Sequence, residues 1–194
     1  MLRGTVIFLK INYKKCPKCN SNNTAKIIYG EPSYEFYLEA ESGKVKLGGC
    51  CIIEGAPQYF CNKCENEWNR EQAIEAEYSK IKSVKASVGG FFGGYYNVVI
   101  DLENLETTWN HFGAGNEEET IHKSINVTIT NKFIEGLKIV KLLNWKAKYI
   151  EAEVCDGTQW SIEIITDERK ISKHGDNKFP EEWDIFCKLI RDRI

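Results

Sequence analysis

The sequence predicts an α+β chain in two parts, a small N-terminal ribbon of short strands and a mixed domain with a mainly antiparallel sheet and two packed helices. Three observations carry this. Two Cys-x-x-Cys pairs, Cys16-Pro17-Lys18-Cys19 and Cys61-Asn62-Lys63-Cys64, flank a stretch rich in strand-forming residues. From about residue 83 short alternating runs are separated by turn residues, the pattern of half-buried strands. Near the end, Pro180, Glu181 and Glu182 precede an apolar stripe that closes on Lys188 and Arg191, the charge order that suits a helix dipole. The expected boundaries are 1–70 for the ribbon, 71–82 for a helical linker and 83–194 for the α+β domain.

In the first part, Val6 to Ile11 reads as a strand entering the first knuckle, and Ala25 to Tyr29 as a strand leaving it. Ser33 is placed to cap a short helix that Ser42-Gly43 ends. Lys44 to Ile53 then reads as strand, as does Gln58-Tyr59-Phe60 before the second knuckle. On that reading Cys50 and Cys51 occupy buried strand positions, and because adjacent strand residues point to opposite faces they cannot both reach one ion. Glu71 to Lys82 is compatible with a helix linking the two parts.

The chemistry of the cysteine pairs follows from geometry. In a Cys-x-x-Cys turn the two sulfurs converge on one point, so two such turns on facing hairpins supply a tetrahedron. The expected ligands are Cys16, Cys19, Cys61 and Cys64, and the expected cofactor is structural Zn2+, making this part a zinc ribbon. Metal binding then supplies folding free energy to a piece too small to have much core. Disulfides would need an oxidising compartment, and a redox motif would need only one pair. The apolar run at Met1 to Leu9 is too short for an export leader and is followed by Lys10, Lys14 and Lys15, so a cytoplasmic location is expected.

Cys16-Pro17-Lys18-Cys19, Ile28-Tyr29-Gly30, Glu39-Ala40, Gly43-Lys44-Val45, Leu47-Gly48-Gly49-Cys50 and Tyr59-Phe60-Cys61-Asn62-Lys63-Cys64 with Trp68 form a recognisable string. Over about residues 16 to 68 it resembles uncharacterised bacterial zinc-ribbon proteins with a helical insertion between two Cys-x-x-Cys knuckles. The resemblance implies a four-cysteine ribbon with these same ligands and carries no particular activity. The departures are Asn20 and Glu65, which stand where such knuckles usually have Gly, the residue that enters the left-handed region without steric cost.

In the second part, Ser83 to Val88 alternates as a strand, and Tyr95 to Leu102 with Leu105 to Phe112 reads as a hairpin around Glu103-Asn104. Ile125 to Ile129 alternates as a further strand, after which Asn131 is placed to cap a helix running to about Leu143. Lys148 to Val154 and Gln159 to Ile165 read as a hairpin around Asp156-Gly157, and Arg169 to Ser172 as a short edge. Trp160 and Trp183 read as core aromatics, and Cys155 and Cys187 as small core residues.

With 194 residues, 42 % hydrophobic and 28 % charged, and no apolar run of membrane-span length, the composition is that of a globular chain with no membrane partner expected. The formal charge of −2 gives no general case for nucleic acid. Gly89-Gly90-Phe91-Phe92-Gly93-Gly94 lacks the Lys-Ser/Thr ending of a phosphate loop and reads as a turn. His111, His122 and His174 stand in no nucleophile motif and no metal spacing, although pairing with Asp101, Asp156 or Asp176 would be the route to hydrolytic chemistry. No catalytic residue is therefore assigned. The expected function is that of a zinc-binding, non-enzymatic interaction or scaffold protein whose partner is a protein. The alternatives are nucleic-acid binding through Tyr13, Lys14, Lys15, Lys18, Lys63, Trp68 and Arg70, or an enzyme with its site in the C-terminal domain.

Overall fold

A computed structural model of the chain describes residues 11–90, 94–113, 119–151 and 157–191. Contacts divide it into two compact units, Ile11–Ser79 and the chain from Lys80 onward. The described residues form an α+β structure with four helices and two mixed sheets whose pairings are mainly antiparallel. All but the last residue of the strand expected over Val6 to Ile11 lies outside the described residues. So do Cys155 and Asp156, the centre of the Gly89 to Gly94 turn, and the last three residues.

The first unit contains β1 (Thr24–Ile28), α1 (Tyr34–Glu41), β2 (Val45–Leu47), β3 (Tyr59–Cys61), β4 (Glu67–Trp68) and α2 (Arg70–Ser79). The sheet order is β2-β1-β3-β4, with β1 and β2 parallel and the other pairs antiparallel. A parallel pair needs a crossover, and α1 supplies it. Ser33 stands at the α1 N-cap with extended backbone, though its hydroxyl makes no capping bond.

The strand expected over Lys44 to Ile53 is only three residues long. At Gly48 a Cβ would lie 2.6 Å from the Tyr29 ring, so the close packing there needs glycine, and after the bonds from Gly48 N–H to Ile28 O and from Gly30 N–H to Gly49 O the chain continues as a loop. Cys50 and Cys51 consequently stand exposed in a loop, which corrects their assignment to buried strand positions. The helix expected over 71–82 is also shorter, ending at Ser79. Its Ala73 is buried with Cys16, Cys61 and Trp68, so α2 packs as part of the first unit.

The second unit contains β5 (Ile81–Gly90), β6 (Gly94–Asp101), β7 (Glu106–Phe112), β8 (Glu119–Ser124), α3 (Val127–Ile139), a 3-10 turn (Leu142–Asn144), β9 (Lys148–Ile150), β10 (Thr158–Thr166), β11 (Lys170–Asp176) and α4 (Trp183–Arg191). The order is β8-β7-β6-β5-β10-β11-β9, antiparallel except for the parallel pair β11 and β9. Register places Ile171, Ile164, Val84, Ile100 and Thr107 in one row across the sheet. The next row on the same face holds Lys173, Ile162, Ala86, Val98, Trp109 and Ile121. With Phe133 and Leu137 from α3 and Phe186, Leu189 and Ile190 from α4, these rows supply most of the buried apolar side chains of the unit.

Four expectations change here. The strand expected over Ile125 to Ile129 is instead the start of α3, because the Asn126 side chain accepts from the Ile129 N–H at 3.0 Å and so satisfies a free amide of the first turn. Capping thus begins at Asn126 rather than Asn131, and the strand lies upstream as β8. Among the described residues of the hairpin expected from Lys148 to Val154 and Gln159 to Ile165, β9 pairs in parallel with β11 and not with β10, which lies between β5 and β11. The segment read as a short edge is the longer β11, an interior strand.

Candidate metal centre

Each Cys-x-x-Cys pair sits in a tight turn, and the two turns repeat one hydrogen-bond pattern. The Cys16 N–H donates to Ser21 O and the Asn20 N–H to Cys16 O; the Cys61 N–H donates to Asn66 O and the Glu65 N–H to Cys61 O, all at 2.9 Å. Closing both turns requires a left-handed residue after the second cysteine, and Asn20 (φ 58°) and Glu65 (φ 59°) take that conformation without being glycine.

The four sulfurs converge. Sγ atoms of Cys16, Cys19, Cys61 and Cys64 all lie within 4.8 Å of one another. Cys16 and Cys64 stand 3.7 Å apart, and Cys19 and Cys61 3.5 Å apart. Four sulfurs held about 2.3 Å from the centre of a tetrahedron are separated by about 3.8 Å, so the spacing fits a shared ion and is far too long for S–S bonds of about 2.05 Å. The donor set can therefore hold a metal ion.

Electrostatics agree with that reading. Burial alone would push the Cys61 thiol up, but the backbone N–H groups of Cys64 and Lys63, together with the Cys19 side chain, outweigh it and bring the thiol down to about 6. At Cys64 the Asn66 backbone N–H pulls downward, yet burial and the three neighbouring sulfurs prevail and push it up to about 12. Burial likewise raises Cys16. Four packed thiols cannot all ionise beside one another, and a divalent cation among them removes the conflict.

Around the sulfurs lies a compact shell. Trp68, only 1 % exposed, packs with Cys16, Cys61 and Ala73, stacks on Tyr59 at 5.7 Å and donates its indole N–H to Tyr13 O at 2.8 Å. The Arg70 guanidinium lies 4.4 Å from the centre of the Tyr13 ring and donates to its hydroxyl at 3.2 Å. Asn62 ties the second knuckle down by donating its side-chain amide to Asn23 and to Gly43 O. Sequence reasoning missed Ala73 and Asn62, whose only signal was position beside a ligand or just beyond Trp68.

The histidines do not share a site. His111 lies on β7, on the same sheet face as Trp109, with its ring stacked 4.3 Å from Tyr96. His122, on β8, meets the Thr108 hydroxyl at 3.1 Å on the opposite face. His174 lies inside β11, exposed and paired with Ser161. Asp101 is engaged in the β6–β7 turn, where the Asn104 backbone N–H is the main cause that holds its carboxyl below the usual carboxylate range. Asp176 accepts from its neighbour Asn177 at 2.9 Å.

No family model and no curated protein matches this chain. Fold and site together define an α+β protein with a four-cysteine centre able to hold a metal ion. Among the described residues no helix is long and apolar enough to cross a membrane.

Proposed function

We propose that this chain is a zinc-ribbon protein with a structural Zn2+, whose activity is binding to a protein partner. The observation that carries the reading is the mutual approach of the four sulfurs within 4.8 Å. Four thiolates complete a tetrahedral shell, so the ion has no open position at which to activate water, and its contribution is to staple the unit.

Support for a protein partner comes from the first unit's surface. Helix α1 buries none of its side chains, leaving Tyr34 76 % exposed and Tyr37 and Leu38 about half exposed. Ile52 and Ile53 are each 72 % exposed in the loop after β2. Large apolar side chains left in water on one small unit mark an interaction surface. Glu35, Glu39 and Glu41 on the same helix, with Glu31 just before it, oppose a phosphate backbone. The nucleic-acid alternative loses its stacking platforms, because Trp68 is buried and Tyr13 lies under Arg70.

The test is capture from an extract of the source cell by wild type, by a Tyr34→Ser/Ile52→Ser/Ile53→Ser variant and by a Lys14→Glu/Lys15→Glu/Lys18→Glu variant, followed by direct binding with the purified partner. Binding lost only in the first variant supports the reading. Tight, steeply salt-dependent binding to single-stranded or duplex nucleic acid that the charge reversal removes would transfer the function to the alternative.

A further inference from the structure

The second unit contains a cleft that none of the foregoing uses. It encloses about 450 Å³ between α4 and the open part of the sheet over β5 to β8. Tyr96, Val98, Trp109 and Ile121 form its floor, and Trp183 and Phe186 of α4 its side wall. This volume lies within the range of small-molecule sites, which are concave and mostly apolar with a few polar groups. A stable protein interface instead covers roughly 800 Å² on each partner.

The lining narrows the ligand class. Tyr96 and Trp109, with ring centres 5.9 Å apart, make the aromatic part of the floor, and the His111 ring braces them from beside it at 4.3 Å from Tyr96 and 6.1 Å from Trp109. Trp183 and Phe186 face it from the helix, with ring centres 5.9 Å apart. Strand β7 also carries three buried polar atoms without a hydrogen-bond partner, Thr107 Oγ1, Asn110 Oδ1 and His111 Nε2. Thr107 and His111 flank Trp109 on the same face of that strand. These atoms stand beside the cleft rather than in its lining, and Asn110 faces the other side of the sheet, so the character of the cleft is set by its apolar lining. The charged lining residues are Glu119 and Arg191, both exposed and of opposite sign, so the cleft asks for no net charge.

From these observations we infer that the cleft is a binding site for a neutral, largely apolar, aromatic small molecule. It is independent of the metal centre and of the surface on the first unit.

The probe is N-phenyl-1-naphthylamine, neutral, aromatic and fluorescent when removed from water, titrated into the metal-loaded protein. Saturable binding of one probe per chain is expected, with quenching of tryptophan fluorescence and slowed alkylation of Cys187, which also lines the cleft. Cys187→Trp, which fills the cleft, and Ile121→Glu, which charges its floor, should each weaken binding by roughly tenfold or more. Both positions are partly exposed, so folding should survive and is checked by thermal melting. Ile139→Glu, on an exposed position of α3 outside the cleft, should leave binding unchanged. Binding that does not saturate, or that persists unaltered in both cleft variants, overturns the inference. So does binding that arises only after residues 1–10 are deleted, which would make the chain's own apolar segment the occupant, or a dimer that Cys187→Trp alone dissociates.

Discussion

The Trp160 indole lies across Gly175, its register partner on β11, so closely that a Cβ at Gly175 would come within 2.2 Å of the indole nitrogen. That nitrogen donates to Lys178 O at 2.9 Å. From this seat the ring meets Trp183 at 4.7 Å, Tyr149 at 5.7 Å and Trp145 at 6.3 Å, joining the sheet to α4 and to the segment after α3.

Gly175→Ala should therefore act as overpacking in a rigid place. The indole cannot swing aside without losing its hydrogen bond and its ring contacts, so a loss of about 1–3 kcal/mol is expected by urea denaturation. Adding Trp160→Phe should recover part of that loss, because the smaller ring leaves room for the methyl group. Simple additivity of the two substitutions would show that the contact is not the cause.

Purified protein should carry about one zinc per chain, read by elemental analysis. Cys61→Ser should lose the metal and the cooperative unfolding of the first unit, since removing one of four ligands weakens the binding that stabilises a small core. Cys50→Ser should keep both. Retention by the first variant and loss by the second would mean that the ligand set is wrong.

Glu65 holds a backbone conformation that costs an L-residue with a Cβ roughly 1–2 kcal/mol. Glu65→Gly removes that strain but gives the unfolded chain more freedom, so a net gain of about 0.5–1 kcal/mol is expected for the metal-loaded protein. Asn tolerates the left-handed region better, and Asn20→Gly should gain less. Thermal melts of the two variants in excess zinc decide this, and an equal or reversed effect would place the strain elsewhere.

Lys173 is 3 % exposed, and its ammonium donates to the neutral carbonyls of Leu143 and Trp145. Burial lowers its pKa from 10.5 to about 8. Between those values the unfolded chain binds the proton more tightly than the folded one, so stability should rise as pH goes from about 8 to 10.5 and fall as pH drops back toward 8. The shift corresponds to about 3 kcal/mol between the two ends of that window. Lys173→Met should abolish this dependence in denaturation curves taken across the window, and an unchanged slope would assign it to another group.

Much of the four-cysteine site was legible because Cys-x-x-Cys is a local geometry. Two residues between cysteines bring each pair of sulfurs together whatever the rest of the chain does, and the left-handed positions of Asn20 and Glu65 follow from that same turn. The β6–β7 hairpin was legible for a similar reason, since Asp101 and Asn104 close it within one short turn. Alternation misled at Ile125 to Ile129, where a strand pattern lost to one side-chain cap from Asn126. It misled again after Leu47, where the strand stops at two glycines, the first packed against the Tyr29 ring, and Cys50 and Cys51 stand in water.

Taken alone, then, the sequence determined what depends on neighbours along the chain: the α+β class, the knuckles with their four thiols, most strands, and the amphipathic closing helix. Tertiary structure decided what depends on neighbours in space. It set β9 in parallel against β11 and ran β10 between β5 and β11. It buried Lys173 at a position whose sequence neighbours look like a solvated strand, and brought Trp109 on β7 to face Trp183 on α4 across the cleft. The physical reason is that register and layer packing are fixed by side chains far apart in the chain, whose fit no local pattern encodes.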